Sequence, residues 1–240
     1  MKPLIALIRG RNEELIAQDT FDHLKEFCEK IYFYDDASTD KTLEIAKNHP
    51  YVVEIIENKI WNPNQTVVQG QQRSELFEYA KFRNPDANFI YCDFDERIDF
   101  DFKSWNGESA VVMKLFDARM TTDDQSSFGN IGIPLPLKDF RKYFDPYFRE
   151  IPFIFNDKAK YIGVSCERYP QLDPAQPVIH AGLCQHFGKA LSKQHWQDTC
   201  AYYSKYLPVY AEKWEKRKKE SGVISSDGLL TWDEIKSKYA

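Results

Sequence analysis

Four short apolar runs punctuate the first hundred residues, at Leu4–Ile8, Ile31–Asp35, Val52–Ile56 and Asn88–Asp93, and a helical pattern fills each gap between them. Leu15, Ile16, Phe21, Leu24, Phe27 and Cys28 can share one helix face. Thr42–Asn48 follows Asp40 as a short helix, and Gln69–Arg83 carries Leu76, Phe77 and Ala80. Three strand–helix units in succession predict a mostly parallel sheet flanked by helices, because parallel neighbours need a crossover long enough to bring the chain back. After Asp101 the regularity is lost. Ala110–Leu115 reads as another strand, and Thr121 to Pro136 as loops and short strands. Leu191 to Glu220 reads as an aromatic-rich helical stretch broken at Pro208, and Thr231-Trp232-Asp233-Glu234 as a capping-box start for a last helix.

Composition narrows the function classes. A chain of 240 residues with 42% hydrophobic content can bury one sizeable core, so a single domain over 1–240 is expected. A net charge of -5 excludes a sequence-independent nucleic-acid binder, which needs a basic face to neutralise phosphates. The one dense basic stretch, Lys213 to Lys219, alternates with Glu212, Glu215 and Glu220 and allows at most peripheral membrane association. The five cysteines include no C-x-x-C pair, and Leu4 to Ile8 is too short for a signal or a membrane span, so a cytoplasmic protein with reduced thiols is expected.

Open α/β sheets bind ligands beyond the carboxyl ends of their strands. Three polar clusters sit there: Arg9-Gly10-Arg11-Asn12-Glu13 after the first run, Asp35 through Asp40 after the second, and Asp93-Phe94-Asp95-Glu96 after the fourth. Acidic groups this dense repel one another unless a cation lies among them, and hard oxygen ligands suit Mg²⁺ or Mn²⁺ held against phosphates. The alternative for such acids is a solvated loop that caps a turn.

In this order, a first strand followed by Arg11-Asn12-Glu13-Glu14, then Tyr34 through Thr42, then Ile90-Tyr91-Cys92-Asp93-Phe94-Asp95-Glu96, resembles the GT-A glycosyltransferases of the family 2 type. Within that family it is most similar to the lipopolysaccharide-core and β-1,4-glucosyltransferase-like branch. The resemblance implies a Rossmann-like GT-A fold, with residues 1–100 holding a nucleotide-sugar and residues 101–240 an acceptor. It implies that Asp36, with Asp35, accepts the uracil imide proton, that Arg9 and Arg11 line the base pocket, and that Arg73 lies on the helix before the acidic strand. Asp93 would face ribose and metal, and Asp95 with Glu96 would hold Mn²⁺ or Mg²⁺ on the diphosphate.

In the back half, Ile154-Phe155-Asn156-Asp157 and Tyr161 through Glu167 are similar to a family stretch ending in a His-Glu pair, with Cys166 in place of the His. Glu167 is thereby the candidate catalytic base, with Asp157 and Glu150 as fallbacks. Val178 through Lys189 is similar to a closing strand whose histidine joins the metal, which places His186 ahead of His180 as a ligand and Lys189 near the leaving diphosphate. The implied activity is inverting transfer from a UDP-sugar to a glycan or glycolipid acceptor, in polysaccharide biosynthesis. Two alternatives stay open: a nucleotidyltransferase acting on sugar phosphates, which would carry a more glycine-rich first loop, and a nucleotide- or glycan-binding module without catalysis. Gly182 to Lys189 is not a P-loop, since Ala190 stands where a Ser or Thr would bind Mg²⁺.

Overall fold

The computed structural model describes residues 2–127, 133, 136–163 and 168–240. In chain order it contains β1 (Leu4–Gly10), α1 (Ala17–Leu24), β2 (Lys30–Asp36), α2 (Thr42–Asn48), β3 (Val52–Asn58), α3 (Gln65–Arg83) and β4 (Asn88–Tyr91). There follow β5 (Glu96–Asp99), β6 (Ala110–Thr121), β7 (Tyr143–Asn156), β8 (Val178–His186), α4 (Lys193–Tyr206), α5 (Ala211–Arg217), β9 (Val223–Ile224), β10 (Leu230–Thr231) and α6 (Trp232–Tyr239). Two compact units result. The first comprises Met1–Phe94, Phe100–Met113 and Ile151–Ala181, and the second Asp95–Asp99, Lys114–Glu150 and Gly182–Ala240.

In the first unit β3, β2, β1 and β4 run side by side and parallel, with the end of β7 antiparallel on β4 through Phe89↔Phe155. Alternation along the strands sends Ile5, Leu7, Tyr32, Tyr34, Phe89 and Tyr91 into one core with Leu76, Phe77 and Ala80 of α3. Phe77 meets Phe89 and Phe155 edge to face, at 5.1 and 5.5 Å between centroids. Phe33 lies on the opposite face, where Phe21 of α1 and Phe94 close a second aromatic cluster at 5.6–5.9 Å. Helices thus cover both faces of a mostly parallel sheet, the α/β arrangement that the strand–helix alternation predicts. Phe94 packs so closely over the end of β1 that any side chain at Gly10 would collide with its ring.

Several boundaries differ from expectation. β1 and β3 run two residues further and β2 one, into the polar clusters, while β4 stops at Tyr91 and Asp93 lies beyond it. After a turn at Phe94 and Asp95 the chain re-enters a sheet as β5. α1 is shorter than the apolar face from Leu15 to Cys28, and Leu15 is half exposed. The long strand β7 is not anticipated, because Pro146 and Pro152 and the charges between them break its alternation. The helical stretch after Leu191 breaks at Pro208 as expected, into α4, a 3-10 turn and α5.

The second unit pairs β5 with β8 and β7 with β10 antiparallel, and β6 with β9 parallel. Trp232 and Tyr239 of α6 cover Phe116, Phe144 and Phe148 at 5.1–6.2 Å. The capping box at Thr231 is formed as expected, with the Thr231 N–H donating to Glu234 at 2.7 Å. Among the described residues no helix is long and apolar enough to cross a membrane.

At the carboxyl ends of β1 and β2, Asp36 is fully buried on the α3 side of the sheet. It accepts hydrogen bonds from Arg9 at 2.7 Å, Gln72 at 2.7 Å, Asn58 at 2.9 Å and Gln65 at 3.4 Å. Arg9 donates in addition to Gln72 and Gln65. One buried carboxylate therefore ties β1, β2, β3 and α3 together, at the residue from which a contact to the nucleotide base is expected. Asp36→Ala leaves Arg9 buried without its counter-charge and should destabilise the fold by about 3–5 kcal/mol. Urea unfolding measures this, and a variant as stable as the wild type would show the network to be dispensable.

Candidate functional site

The loops that follow β1 and β2 are laced to each other by side-chain caps. Asn12 N–H donates to Ser38 Oγ at 3.1 Å, Glu13 N–H to Thr42 Oγ1 at 2.6 Å and Glu14 N–H to Asp40 at 3.1 Å. In the other direction Thr39 N–H donates to the Asn12 side chain at 2.8 Å and Lys41 N–H to Glu14 at 3.1 Å. Asn12 (φ 60°) and Ala37 (φ 57°) both sit in the left-handed region. An asparagine tolerates this, whereas at Ala37 it costs about 1–2 kcal/mol that the lacing must offset.

These loops and the end of β3 enclose a cavity of about 360 Å³ whose lining includes Arg11, Asp35, Ser38, Thr39, Glu57 and Trp61. The Arg11 guanidinium lies 5.1 Å from the Trp61 ring centre, a cation–π pair that leaves a flat apolar and cationic wall. Arg11 Nε and Asp35 Oδ1 are both buried and have no hydrogen-bond partner. Burial is normally matched by pairing, so an unpaired donor and an unpaired acceptor on one cavity wall mark a place for a polar ligand. Burial raises the Asp35 carboxyl, and Glu57 and Asp36 add to this against the bonds from Ser38. Of the two acids after β2 it is Asp35 that lines the cavity, and of the two arginines Arg11. Arg9 is taken up by Asp36.

Arg73 is buried beneath the end of β4. It donates to Tyr91 Oη at 2.9 Å and to Gln69 at 3.3 Å, and its guanidinium lies 5.3 Å from the Tyr91 ring centre. Burial opposes its charge, but Tyr91 and Asp93 hold it firmly protonated. The Asp93 carboxylate lies 3.7 Å from Arg168, so in the first unit Asp93 is an acid among arginines.

In the second unit the antiparallel pairing of β5 with β8 sets Glu96 opposite His186. Phe187 N–H then donates to the Asp95 carbonyl at 2.8 Å and holds the preceding turn in place. Asp95, Glu96 and His186 each offer a ligand atom within 4.8 Å of the others. His180, earlier on β8, is exposed and does not take part. His186 Nδ1 bonds Asp117 Oδ1 at 2.5 Å while Nε2 lies 3.4 Å from Asp95 Oδ2. A carboxylate on Nδ1 fixes the ring and turns Nε2 toward Asp95, where a proton or a cation is favoured, the orientation of a metal-ligating histidine. Gly188 closes the site from behind. A Cβ there would come within 2.5 Å of Asp95 Oδ2 and 3.0 Å of His186 Nε2.

Asp117, in the middle of β6, was not among the sequence candidates. It accepts from His186, from Lys189 and from Arg149, the last at 2.8 Å. Although burial works against its charge, the bond from His186 and the charges of Lys189 and Arg149 hold it well below the usual carboxylate range. Burial lowers the proton affinity of His186, but Asp95 and Asp117 more than reverse this. Two carboxylates and an imidazole with a fixed tautomer fit a small divalent cation such as Mn²⁺ or Mg²⁺.

For the catalytic base, Glu167 and Cys166 lie outside the described residues. Asp157 is half-buried in the turn after β7, and Glu150 is exposed on that strand.

No protein-family model matches the chain. An uncharacterised protein of Mycobacterium tuberculosis and one of Mycobacterium bovis are each 29% identical to it over 104 residues, 42% of this chain and 26% of theirs. The chain thus spans about a quarter of the length of the curated relatives it matches. Among solved structures, glucosyl-3-phosphoglycerate synthase from Mycobacterium tuberculosis in complex with Mn²⁺, uridine diphosphate and glucosyl-3-phosphoglycerate is similar at 17% identity. Its TM-score is 0.33 over 48% of this chain and 44% of that one. 4-Diphosphocytidyl-2C-methyl-D-erythritol synthase is similar at 10% identity and a TM-score of 0.36, over 65% of this chain and 76% of that one.

Proposed function

We propose that this chain is a metal-dependent, inverting glycosyltransferase of the GT-A type that moves a sugar from a nucleoside-diphosphate donor, a UDP-sugar, to a hydroxyl of a glycan or glycolipid. The observation that carries this reading is the Asp95–Glu96–His186 group, with His186 oriented by Asp117 and the space behind it kept clear by Gly188. An acidic cluster of structural origin alone has no need of an oriented histidine or of a residue without a side chain.

The cavity of the first unit suits the base of the donor. Its Arg11–Trp61 wall offers a stacking surface, and Asp35 Oδ1 an acceptor for an imide N–H. Asp93 comes two residues before Asp95 in sequence, and in this reading its carboxylate binds the ribose. Asp95, Glu96 and His186 would hold the divalent cation, which when bound neutralises charge on the leaving diphosphate. A carboxylate, Glu167 or Asp157, takes the proton of the acceptor hydroxyl as its oxygen attacks the anomeric carbon and the bond to the nucleoside diphosphate breaks. Lys189 is anchored on Asp117 and contributes a fixed positive charge to this region of the second unit.

Product analysis tests the class of reaction. Incubation with UDP-sugars and Mn²⁺ should release UDP, by transfer or by slow hydrolysis, whereas release of pyrophosphate from a nucleoside triphosphate and a sugar phosphate would establish nucleotidyl transfer. Asp35→Ala should weaken UDP binding in calorimetry by about 1–3 kcal/mol while the melting temperature holds. Unchanged affinity would remove the cavity from the donor site. Excess chelator should silence turnover and Mn²⁺ or Mg²⁺ should restore it better than Ca²⁺, whose larger, looser shell fits a compact site poorly. Asp95→Asn, which keeps shape and removes charge, should lose both turnover and Mn²⁺ binding. Asp117→Asn should weaken Mn²⁺ binding by about 10–100-fold without removing a ligand. Wild-type Mn²⁺ affinity in both variants would leave the cluster without its assigned role.

A further inference from the structure

Two acids stand past the parallel strands of the first unit. Asp35, at the end of β2, lines the cavity, and Asp93 lies two residues past the end of β4. β1 runs between those strands and pairs with both, so their ends are two strand spacings apart, about 10 Å, a span that a nucleoside can bridge.

Arg168 was not among the sequence candidates, and the first unit fixes it at the end of β4. Its carbonyl accepts from Tyr161 Oη at 3.2 Å, and Tyr161 is set edge to face against Phe77 at 5.8 Å and Phe155 at 6.3 Å. Its guanidinium lies 4.8 Å from the Phe153 ring centre and 5.9 Å from that of Tyr91, whose hydroxyl is in turn bonded by Arg73. From these rings Arg168 reaches Asp93, with Nη1 3.7 Å from Oδ2. The two side chains keep 16% and 31% of their surface exposed, whereas Tyr91 and Arg73 are buried. A partly exposed ion pair adds little to stability, so stability alone gives little reason for so many groups to fix this arginine.

The pair presents a fixed donor beside a fixed acceptor. Neighbouring hydroxyls on a sugar ring match that arrangement: one donates its proton to the carboxylate, and the other accepts an N–H from the guanidinium. Charged partners make such bonds stronger than those between neutral groups.

We propose that Arg168 and Asp93 together bind a vicinal diol, and that this diol is the ribose of the nucleotide donor. Arg168 is the donating half of the site. The ribose assignment rests on the glycosyltransferase reading, in which the base occupies the cavity at Asp35.

The test measures binding of UDP, 2′-deoxy-UDP and UDP-glucose to the full chain by calorimetry, with Mn²⁺ present. Wild-type protein should bind UDP about tenfold or more tightly than 2′-deoxy-UDP, because a site built for a hydroxyl is left unpaired by the analogue that lacks it. Arg168→Met removes the donors and keeps an apolar stem against Phe153 and Tyr91. It should weaken UDP binding by about tenfold and shrink the preference over 2′-deoxy-UDP to about threefold or less. Arg168→Lys, which keeps the charge and a donor, should retain more of that preference. A purely structural role would weaken both nucleotides alike and leave their ratio at the wild-type value, and that result overturns the proposal. Equal affinity of the wild type for UDP and 2′-deoxy-UDP overturns it without any variant. If Arg168→Met weakens UDP-glucose but not UDP, the diol is that of the transferred sugar and the ribose assignment falls. If wild-type protein binds none of the three, the nucleotide-donor reading fails and takes the ribose site with it, whereas UDP binding with an unchanged ratio removes the site alone.

Discussion

The pairing of β5 with β8 is the constraint on which the candidate chemistry depends. Asp95 and Glu96 follow Asp93 and would otherwise be three acids on a solvated turn. Setting Glu96 opposite His186, and binding the Asp95 carbonyl to Phe187 N–H, gathers one carboxylate from the start of β5, one from the turn before it and an imidazole from the end of β8. That arrangement concentrates negative charge in a buried place, which a fold tolerates when a cation is part of the design. Gly188 follows from the same pairing: the chain that has just supplied His186 must turn across the carboxylate it has delivered, and there is no room for a side chain.

In the first unit the corresponding constraint is the pleat of β2. Neighbouring residues in a strand point to opposite faces, so Asp35 and Asp36 cannot do the same work. Tyr32 and Tyr34 face α3, and Asp36 follows them in register, where Gln65 and Gln72 of α3 meet it together with Arg9. Asp35 shares its face with Phe33 and emerges at the cavity, where it keeps one oxygen unpaired. One acid of the pair is structural and saturated, and the other is raised in proton affinity and available. Phe94 over Gly10 and the lacing of the two loops hold the cavity edge, so that even Ala37 keeps a left-handed conformation.

The sequence carries the first unit's fold openly because apolar runs and helical periods are local signals, and the parallel strands β1 to β4 appear where those runs are. The ends of these strands are less legible, since pairing with a neighbour extends β1 to Gly10 and β2 to Asp36 across polar residues that carry no strand signal of their own. β5 is the extreme case: in Glu96-Arg97-Ile98-Asp99 one residue is apolar, and only the pairing with β8 makes it a strand. His186 stands out in the sequence because it precedes Phe-Gly-Lys at the end of an apolar run, and the structure sets it beside Asp95 and Glu96. Asp117 is missed because an acid inside Leu115-Phe116-Asp117-Ala118 has no partner nearby in sequence; the available clue is a charge in an otherwise apolar run. The choice of Asp35 over Asp36 was open to argument from Tyr32 and Tyr34 alone, once α3 is placed on their side.

Asp117 also joins the two halves of the second unit's chemistry. One of its oxygens orients His186 toward Asp95, and the carboxylate as a whole anchors Arg149 and Lys189. In the reading proposed above, a cation among Asp95, Glu96 and His186 would be held by a histidine whose other nitrogen is already fixed on a carboxylate, so Asp117 would raise the affinity of the site without touching the ion. The same carboxylate is kept charged by Arg149 and Lys189, and the orientation of His186 therefore depends on two cations that are not themselves ligands.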